Sequence, residues 1–210
     1  MEGASLIFSM PEPTYELRRT LRARRRALSE TAQRRHSGQA ALAYKCSTLF
    51  LRYRRVAAYL ANDGELDPSL IIESAFDADK QLFLPVLRHR PYKSLWFSEY
   101  RPGDRLLNNR FAIPEPDIRR RPPVPPWGLD VILMPLVGFD PRGHRIGMGG
   151  GFYDRTLAYL LHRRYWRRPL LIGLAHECQA WPLLPARPWD MPMDGVLTEN
   201  GLQLFNRHST

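Results

Sequence analysis

Residues 140–154 read Asp-Pro-Arg-Gly-His-Arg-Ile-Gly-Met-Gly-Gly-Gly-Phe-Tyr-Asp. Gly147, Gly149, Gly150 and Gly151 lie close together, between an apolar run at 129–139 and a helix-like run starting near Phe152. Glycine has no Cβ to hold backbone N–H groups away from a phosphate, and a helix N-terminus behind the loop favours the anion. Arg145 enters the loop with a permanent positive charge. Asp154 leaves it on the first helical turn, where a carboxylate can hold Mg²⁺. The segment is not a Walker A loop, because no Gly-Lys-Ser/Thr follows the glycines. The spacing Gly147-x-Gly149-x-Gly151 also misses the dinucleotide fingerprint. By itself the stretch fits either a phosphate loop or a flexible strand-to-helix turn.

The elements that must position this loop follow from patterning. Residues 14–28 carry Leu17, Leu21 and Leu28 at helical spacing on an arginine-rich helix. Ser29 is placed to cap a second helix reaching about Arg52, with Ala40, Leu42, Cys46, Leu49 and Phe50 inward. Asp67 and Pro68 read as N-cap and first-turn proline of a helix ending near Phe76, and residues 152–163 form another. The runs at 56–61, 81–87, 95–100, 129–137, 170–175 and 195–198 read as strands, with Pro85 at an edge or bend. The run at 129–137 is apolar apart from Asp130 until it nears the loop, as a central strand covered on both faces would be. Strands separated by helices predict an α/β three-layer sandwich, a mostly parallel open sheet with helices on both faces. Ligands of such sheets collect at the carboxyl ends of strands, and both the glycine loop and Gly64-Glu65 follow one. One domain is expected at 14–205 after a flexible N-terminus at 1–13, with Pro122–Pro126 a stiff surface loop.

Composition narrows the classes. A hydrophobic content of 44% with 11% aromatics belongs to a folded chain. No apolar run approaches the roughly 20 residues that span a bilayer, and the first residues lack the layout of a secretory signal. Cys46 and Cys178 are expected to be reduced thiols in a cytoplasmic protein. His144, His162, His176 and Cys178 make no zinc set by spacing, since only His176 and Cys178 are near each other. The formal charge is +10, and residues 15–55 hold 12 Arg or Lys against only Glu16 and Glu30. Nucleic-acid binding is the competing reading of that segment. A solvated helix face accounts for most of these arginines, and attraction of anionic small molecules is the third reading.

The string Leu129–Asp140 followed by Gly143–Arg155 resembles the signature of the 5-formyltetrahydrofolate cyclo-ligase (5,10-methenyltetrahydrofolate synthetase) family. Leu17-Arg18 with Arg26–Ser29, Gly64–Asp67, Phe111–Pro116, and Trp189–Asp194 with Thr198-Glu199 resemble further family segments in the expected order. The resemblance implies a sheet of the ribose-phosphate-isomerase and CoA-transferase type. It also implies ATP- and Mg²⁺-dependent closure of 5-formyltetrahydrofolate to 5,10-methenyltetrahydrofolate, by phosphorylation of the formyl oxygen and attack by N10, with release of ADP and phosphate. The nucleotide positions it implies are Arg18, Arg145, Ile146, Gly147, Gly149, Gly150, Gly151 and Tyr153; Arg145, Tyr153 and Asp154 take the catalytic roles. Asp154 and Asp190 would hold Mg²⁺, while Leu60, Glu65, Met148 and Phe152 would meet the folate, with or without a polyglutamate tail. A monomer without a membrane or nucleic-acid partner is implied; a catalytically weak folate binder is the alternative within the family. Three positions depart from the family pattern: Thr14 and Gly150 stand where relatives carry lysine, and Phe152 replaces a frequent tyrosine. Phosphate charge would then fall on Arg145 and Arg18.

Overall fold

The structure, a computed structural model, describes residues 13–88, 93–162 and 169–205. The expected flexible segment 1–13 lies, apart from Pro13, outside the described residues. Helix α1 (Pro13–Arg26) is followed by α2 (Glu30–Lys45), and the Ser29 hydroxyl accepts from Ala32 N at 3.2 Å as an N-cap should. The long second helix expected from the sequence is broken. Ser47 leaves helical geometry and accepts from Phe50 N at 3.2 Å, capping a separate short helix α3 (Thr48–Arg52). Within α2 the helical period places Tyr44 on the buried face with Ser37, Ala40 and Ala41 and leaves Leu42 outward, contrary to the expected inward set, and Cys46 at the break is exposed as well.

Strand β1 (Arg55–Ala57) leads through a loop to α4 (Ser69–Asp77). Pro68 is the N-cap there, and Asp67 closes a turn by accepting from Ser69 N. Strands β2 (Gln81–Leu87) and β3 (Leu95–Tyr100) pair antiparallel. Pro85 lies past Phe83, the last β2 residue paired with β1, so its missing N–H costs no ladder bond. A small hairpin, β4 (Leu106–Asn108) and β5 (Pro114–Pro116), precedes the central β6 (Val131–Pro135). A second hairpin, β7 (Gly138–Phe139) and β8 (Arg145–Ile146), delivers the glycine loop to α5 (Phe152–Leu157). The single helix predicted over 152–163 divides at Ala158 into α5 and α6 (Tyr159–His162). Thr156 donates its hydroxyl proton back to the Phe152 carbonyl, a contact that bends helices. Strands β9 (Leu170–Leu174), β10 (Gly195–Thr198) and β11 (Gly201–Leu204) complete the chain.

The main sheet runs β11-β10-β9-β6-β1-β2-β3. The strands from β10 to β2 are mutually parallel, and the two edges β3 and β11 are antiparallel, so the predicted three-layer α/β arrangement holds. Period-2 alternation divides the sheet residues between two cores. Val131 and Leu133 pack with α2, α3 and α4 through Tyr44, Phe50 and Ile71, whereas Ile132 and Met134 meet Leu157 and Leu160 of α5 and α6. A third cluster joins Leu17 and Leu21 of α1 to Val137, Ile146 and Leu184, which lays α1 against the hairpin beyond the carboxyl end of β6. Gly138 permits that approach, because a Cβ there would collide with the Leu21 side chain.

Candidate active site

The carboxyl ends of β1, β6, β9 and β10 open on one side of the sheet. A cleft of about 430 Å³ lies beside that edge, lined by Arg18 and Thr14 of α1, Arg145, Ile146, Gly147, Gly149 and Gly151, Asp154 and Arg155 of α5, and Arg187, Trp189 and Asp190. The loop conformation depends on glycine at two points: Gly149 has φ +94° and Gly151, the N-cap of α5, has φ +61°. Arg18 crosses onto this loop, donating from Nε to Gly147 O at 2.8 Å with its guanidinium near Gly149.

Hairpin β7–β8 is held by Asp140, which is fully buried. Its Oδ1 accepts from Arg142 N and His144 N at 3.0 and 2.9 Å, and its Oδ2 accepts from Leu184 N at 3.1 Å. Burial works against that charge, but the hydrogen bonds from Leu184 N and His144 N outweigh it and keep the carboxyl below its ordinary range. Arg145 therefore leaves a rigid frame. Its side chain is 5% exposed, and both terminal nitrogens donate to Asp154 Oδ1, at 3.0 and 2.7 Å. Met191 N adds a longer contact of 3.4 Å to the same oxygen. Among the described residues the hydrogen bonds to Asp154 all fall on Oδ1. Asp190 Oδ2 accepts from Arg187 N at 2.9 Å. The two carboxylates expected to serve Mg²⁺ thus share the cleft, and their all-oxygen chemistry suits that ion.

The folate candidates sit apart from the cleft lining. Glu65 follows β1 in a loop organised by Asp63, a residue with φ +55°. Asp63 accepts from Arg22 Nε at 2.9 Å, from the fully buried Arg25 Nη2 at 2.7 Å, and from Arg26. Burial opposes ionisation of Asp63, yet these three guanidinium groups hold its pKa down at about 2. Glu65 is 3.9 Å from Arg25, but burial dominates and pushes the Glu65 pKa up. Tyr153 on α5 links the two regions. Burial raises its hydroxyl pKa and the Glu65 carboxylate raises it further, while Arg145 works the other way, so all three lie within electrostatic reach. Phe152 packs edge-on against Phe111 with centroids 5.8 Å apart; Met148 is exposed and Leu60 half-buried. Ile146 is buried among Leu21, Val137 and Leu184, so only its backbone is offered to a ligand.

Several residues of the cleft were not singled out as site residues from the sequence. Arg155 donates Nε to Lys93 O at 2.7 Å and Nη2 to Gly150 O, which places a third guanidinium beside the loop. Trp189 and Arg187 line the same cleft, in a region where only Asp190 was assigned a site role from the sequence. Arg25 offered no sequence signal that separates it from its arginine neighbours. The basic segment is mostly a solvated face, as expected, since Arg19, Arg24, Arg26, Arg34, Arg35, Lys45, Arg52 and Arg54 are exposed; the exception the sequence did not single out is Arg25, fully buried where it converges with Arg22 and Arg26 on Asp63.

No described helix is long and apolar enough to cross a membrane. A model of the 5-formyltetrahydrofolate cyclo-ligase family matches residues 12–199. The chain is 42% identical over 178 residues to the 5-formyltetrahydrofolate cyclo-ligase of Escherichia coli K12, covering 85% of this chain and 96% of that protein. With the Haemophilus influenzae protein of the same name it shares 37% identity over 144 residues, 69% of this chain and 75% of the relative. The solved 5,10-methenyltetrahydrofolate synthetase of Aquifex aeolicus superposes with a TM-score of 0.77 at 29% identity, over 94% of this chain and 95% of that one. This protein belongs to the 5-formyltetrahydrofolate cyclo-ligase family.

Proposed function

We propose that the protein closes 5-formyltetrahydrofolate to 5,10-methenyltetrahydrofolate at the expense of ATP, with the triphosphate in the cleft beside the glycine loop. The observation that carries this reading is the convergence in one cleft of Arg18, Arg145, Arg155, the glycine loop and two carboxylates. A formamide carbon resists the weakly nucleophilic N10, and its oxygen is a poor leaving group. Transfer of the γ-phosphoryl group to that oxygen releases ADP and leaves an imidate-like phosphate. N10 then attacks the carbon and gives up its proton, and the C–O electron pair departs with phosphate, which leaves as hydrogen phosphate, to form the amidinium ring. Such a transfer needs positioning and charge neutralisation more than acid–base groups.

In this scheme Arg145, buried against Asp154, is a pre-aligned clamp for phosphate oxygens, and Arg18 closes over the loop. Asp154 and Asp190 would hold Mg²⁺, which when bound neutralises phosphate charge. The raised pKa of Tyr153 keeps its hydroxyl protonated, so it serves as a hydrogen-bond donor to the formyl oxygen or the transferring group rather than as a base. Glu65, its side chain only 11% exposed, accepts from the paired N–H donors of the pterin, with Leu60, Phe152 and Met148 offering apolar contact. Following the methenyl chromophore with protein, 5-formyltetrahydrofolate and Mg-ATP tests the proposal. Growth of the chromophore that requires ATP is expected; growth no faster than in a protein-free control would overturn it.

A further inference from the structure

We propose that His36, His176 and Glu199 form a site for one divalent transition-metal ion of the zinc class, separate from the nucleotide cleft. The three residues come from distant parts of the chain: α2, the segment after β9, and the turn between β10 and β11. Their ligand atoms all lie within 4.8 Å of one another. His36 Nδ1 is 3.1 Å from His176 Nδ1 and 3.2 Å from Glu199 Oε1. In a tetrahedral zinc site with bonds near 2.0–2.1 Å, neighbouring ligand atoms stand about 3.3–3.4 Å apart. The two edges that meet at His36 are within about 0.3 Å of that value, and the third is no longer than 4.8 Å, so a modest movement of the side chains gives an ion its place between them.

Proton counting favours a cation over a simple hydrogen-bonded trio. Each imidazole nitrogen has one directional orbital. If His36 Nδ1 carries a proton, that proton is divided between an imidazole lone pair and a carboxylate. If His176 Nδ1 carries it, the His36 lone pair accepts that proton and also faces the Glu199 carboxylate. A cation gives each of the three lone pairs its own bond. The surroundings are those of a built site. His176 is fully buried, and the side chains of His36 and Glu199 are 11% and 12% exposed. Glu199 Oε2 accepts from Glu177 N at 3.0 Å, which aims Oε1 at the histidines, and Gln179 Oε1 accepts from His176 N at 2.9 Å. Two imidazoles with one carboxylate suit zinc, cobalt or nickel and not Mg²⁺, and they leave one coordination position for water. Spacing could not reveal this set, because residues 36, 176 and 199 form no local motif.

The test uses the untagged full chain, stripped with a chelator and titrated with Co²⁺ in the absence of nucleotide. One equivalent of Co²⁺ should bind with the intense visible bands of a four-coordinate ion, and one equivalent of Zn²⁺ should displace it and raise the thermal midpoint. His176→Gln and Glu199→Gln should each lose more than about tenfold in Zn²⁺ affinity, since even outer-shell changes at zinc sites cost that much. His36→Gln, on a helix whose fold circular dichroism can verify, gives a second ligand variant. The double variant Asp154→Asn with Asp190→Asn should bind Co²⁺ as the parent does. Absence of one-equivalent uptake by the parent, or bands that survive His36→Gln and vanish in the aspartate double variant, would overturn the site.

Discussion

Asp63→Asn should destabilise the protein by about 3 kcal/mol while leaving its backbone unstrained. The size follows from two routes. The Asp63 carboxyl falls from 3.8 to about 2 in the folded protein. At 1.36 kcal/mol per unit that displacement is worth ~2 kcal/mol, an upper figure because solvent reaches the 13% of the side chain that stays exposed. The second route is Arg25, which has no solvent exposure and would lose its charged partner 2.7 Å away. Breaking a buried pair from one side costs roughly 3–5 kcal/mol. Asparagine keeps one carbonyl acceptor for Arg25 and tolerates φ +55°, so the expected loss sits at the low end of that range. For a chain of this size it corresponds to a fall of about 6–12 °C in thermal midpoint at pH 7. The sign with pH is fixed by the depressed pKa. The carboxylate's contribution is fully present above the unfolded value near 4 and is lost as pH falls through about 2, so the variant should show a flatter acid limb. Thermal denaturation of both proteins across that range measures this directly. The reasoning fails if the variant melts within about 2 °C of the parent at pH 7. A folate KM that rises in the same variant would trace the loop to Glu65, whose neighbour Arg25 is then left without its closer anion.

Arg18→Ala removes a charged donor that meets Gly147 O, and at this exposed site it should raise the KM for ATP about tenfold with little effect on melting. A change under twofold would remove Arg18 from the phosphates. Asp154→Asn should lower kcat by about 100-fold or more, since it unseats the Arg145 clamp. Rates that stay at parental values under saturating Mg²⁺ would exclude Asp154 from the metal site. Gly151→Ala forces a side chain into φ +61° at a cost of about 1–2 kcal/mol, so calorimetry should read a drop of roughly 2–8 °C together with weaker ATP binding. An unchanged melting point would mean that the loop adopts another conformation.

Much of the sheet was legible because its strands are largely apolar or alternating runs between helical periodicities: β2 and β3 fall where the patterning at 81–87 and 95–100 placed them, whereas the edge strand β11 was not expected. The hairpins were not. The β7 and β8 strands are two residues each, too short for any periodicity, and their stability comes from Asp140 rather than from strand propensity. The break after Lys45 was readable only with hindsight about Ser47, because serine competes for helix N–H groups only where the chain has already turned. At the site, local sequence announced the glycine loop, Arg145 and Asp154. Their mutual ion pair was invisible, since nine residues of separation say nothing about whether two side chains meet.

The placement of the arginines bears on the three readings of the basic N-terminal segment. A nucleic-acid surface needs guanidinium groups presented to solvent in a row, able to release counterions from many phosphates. Helix α1 divides its charges: Arg25 is fully buried, Arg22 and Arg26 join it on one aspartate and Arg18 turns onto the glycine loop, while Arg19 and Arg24 stay exposed. In the cleft, Arg18, Arg145 and Arg155 surround a loop that carries glycine at position 150 and faces threonine at position 14, while Arg52, Arg54, Arg55, Lys80 and Arg101 line a second cleft away from that loop. Three guanidinium groups that the fold fixes in place thus stand beside a loop that itself carries no lysine. Fixed planar donors suit a triphosphate held in a single geometry, whereas a mobile lysine would trade that alignment for reach.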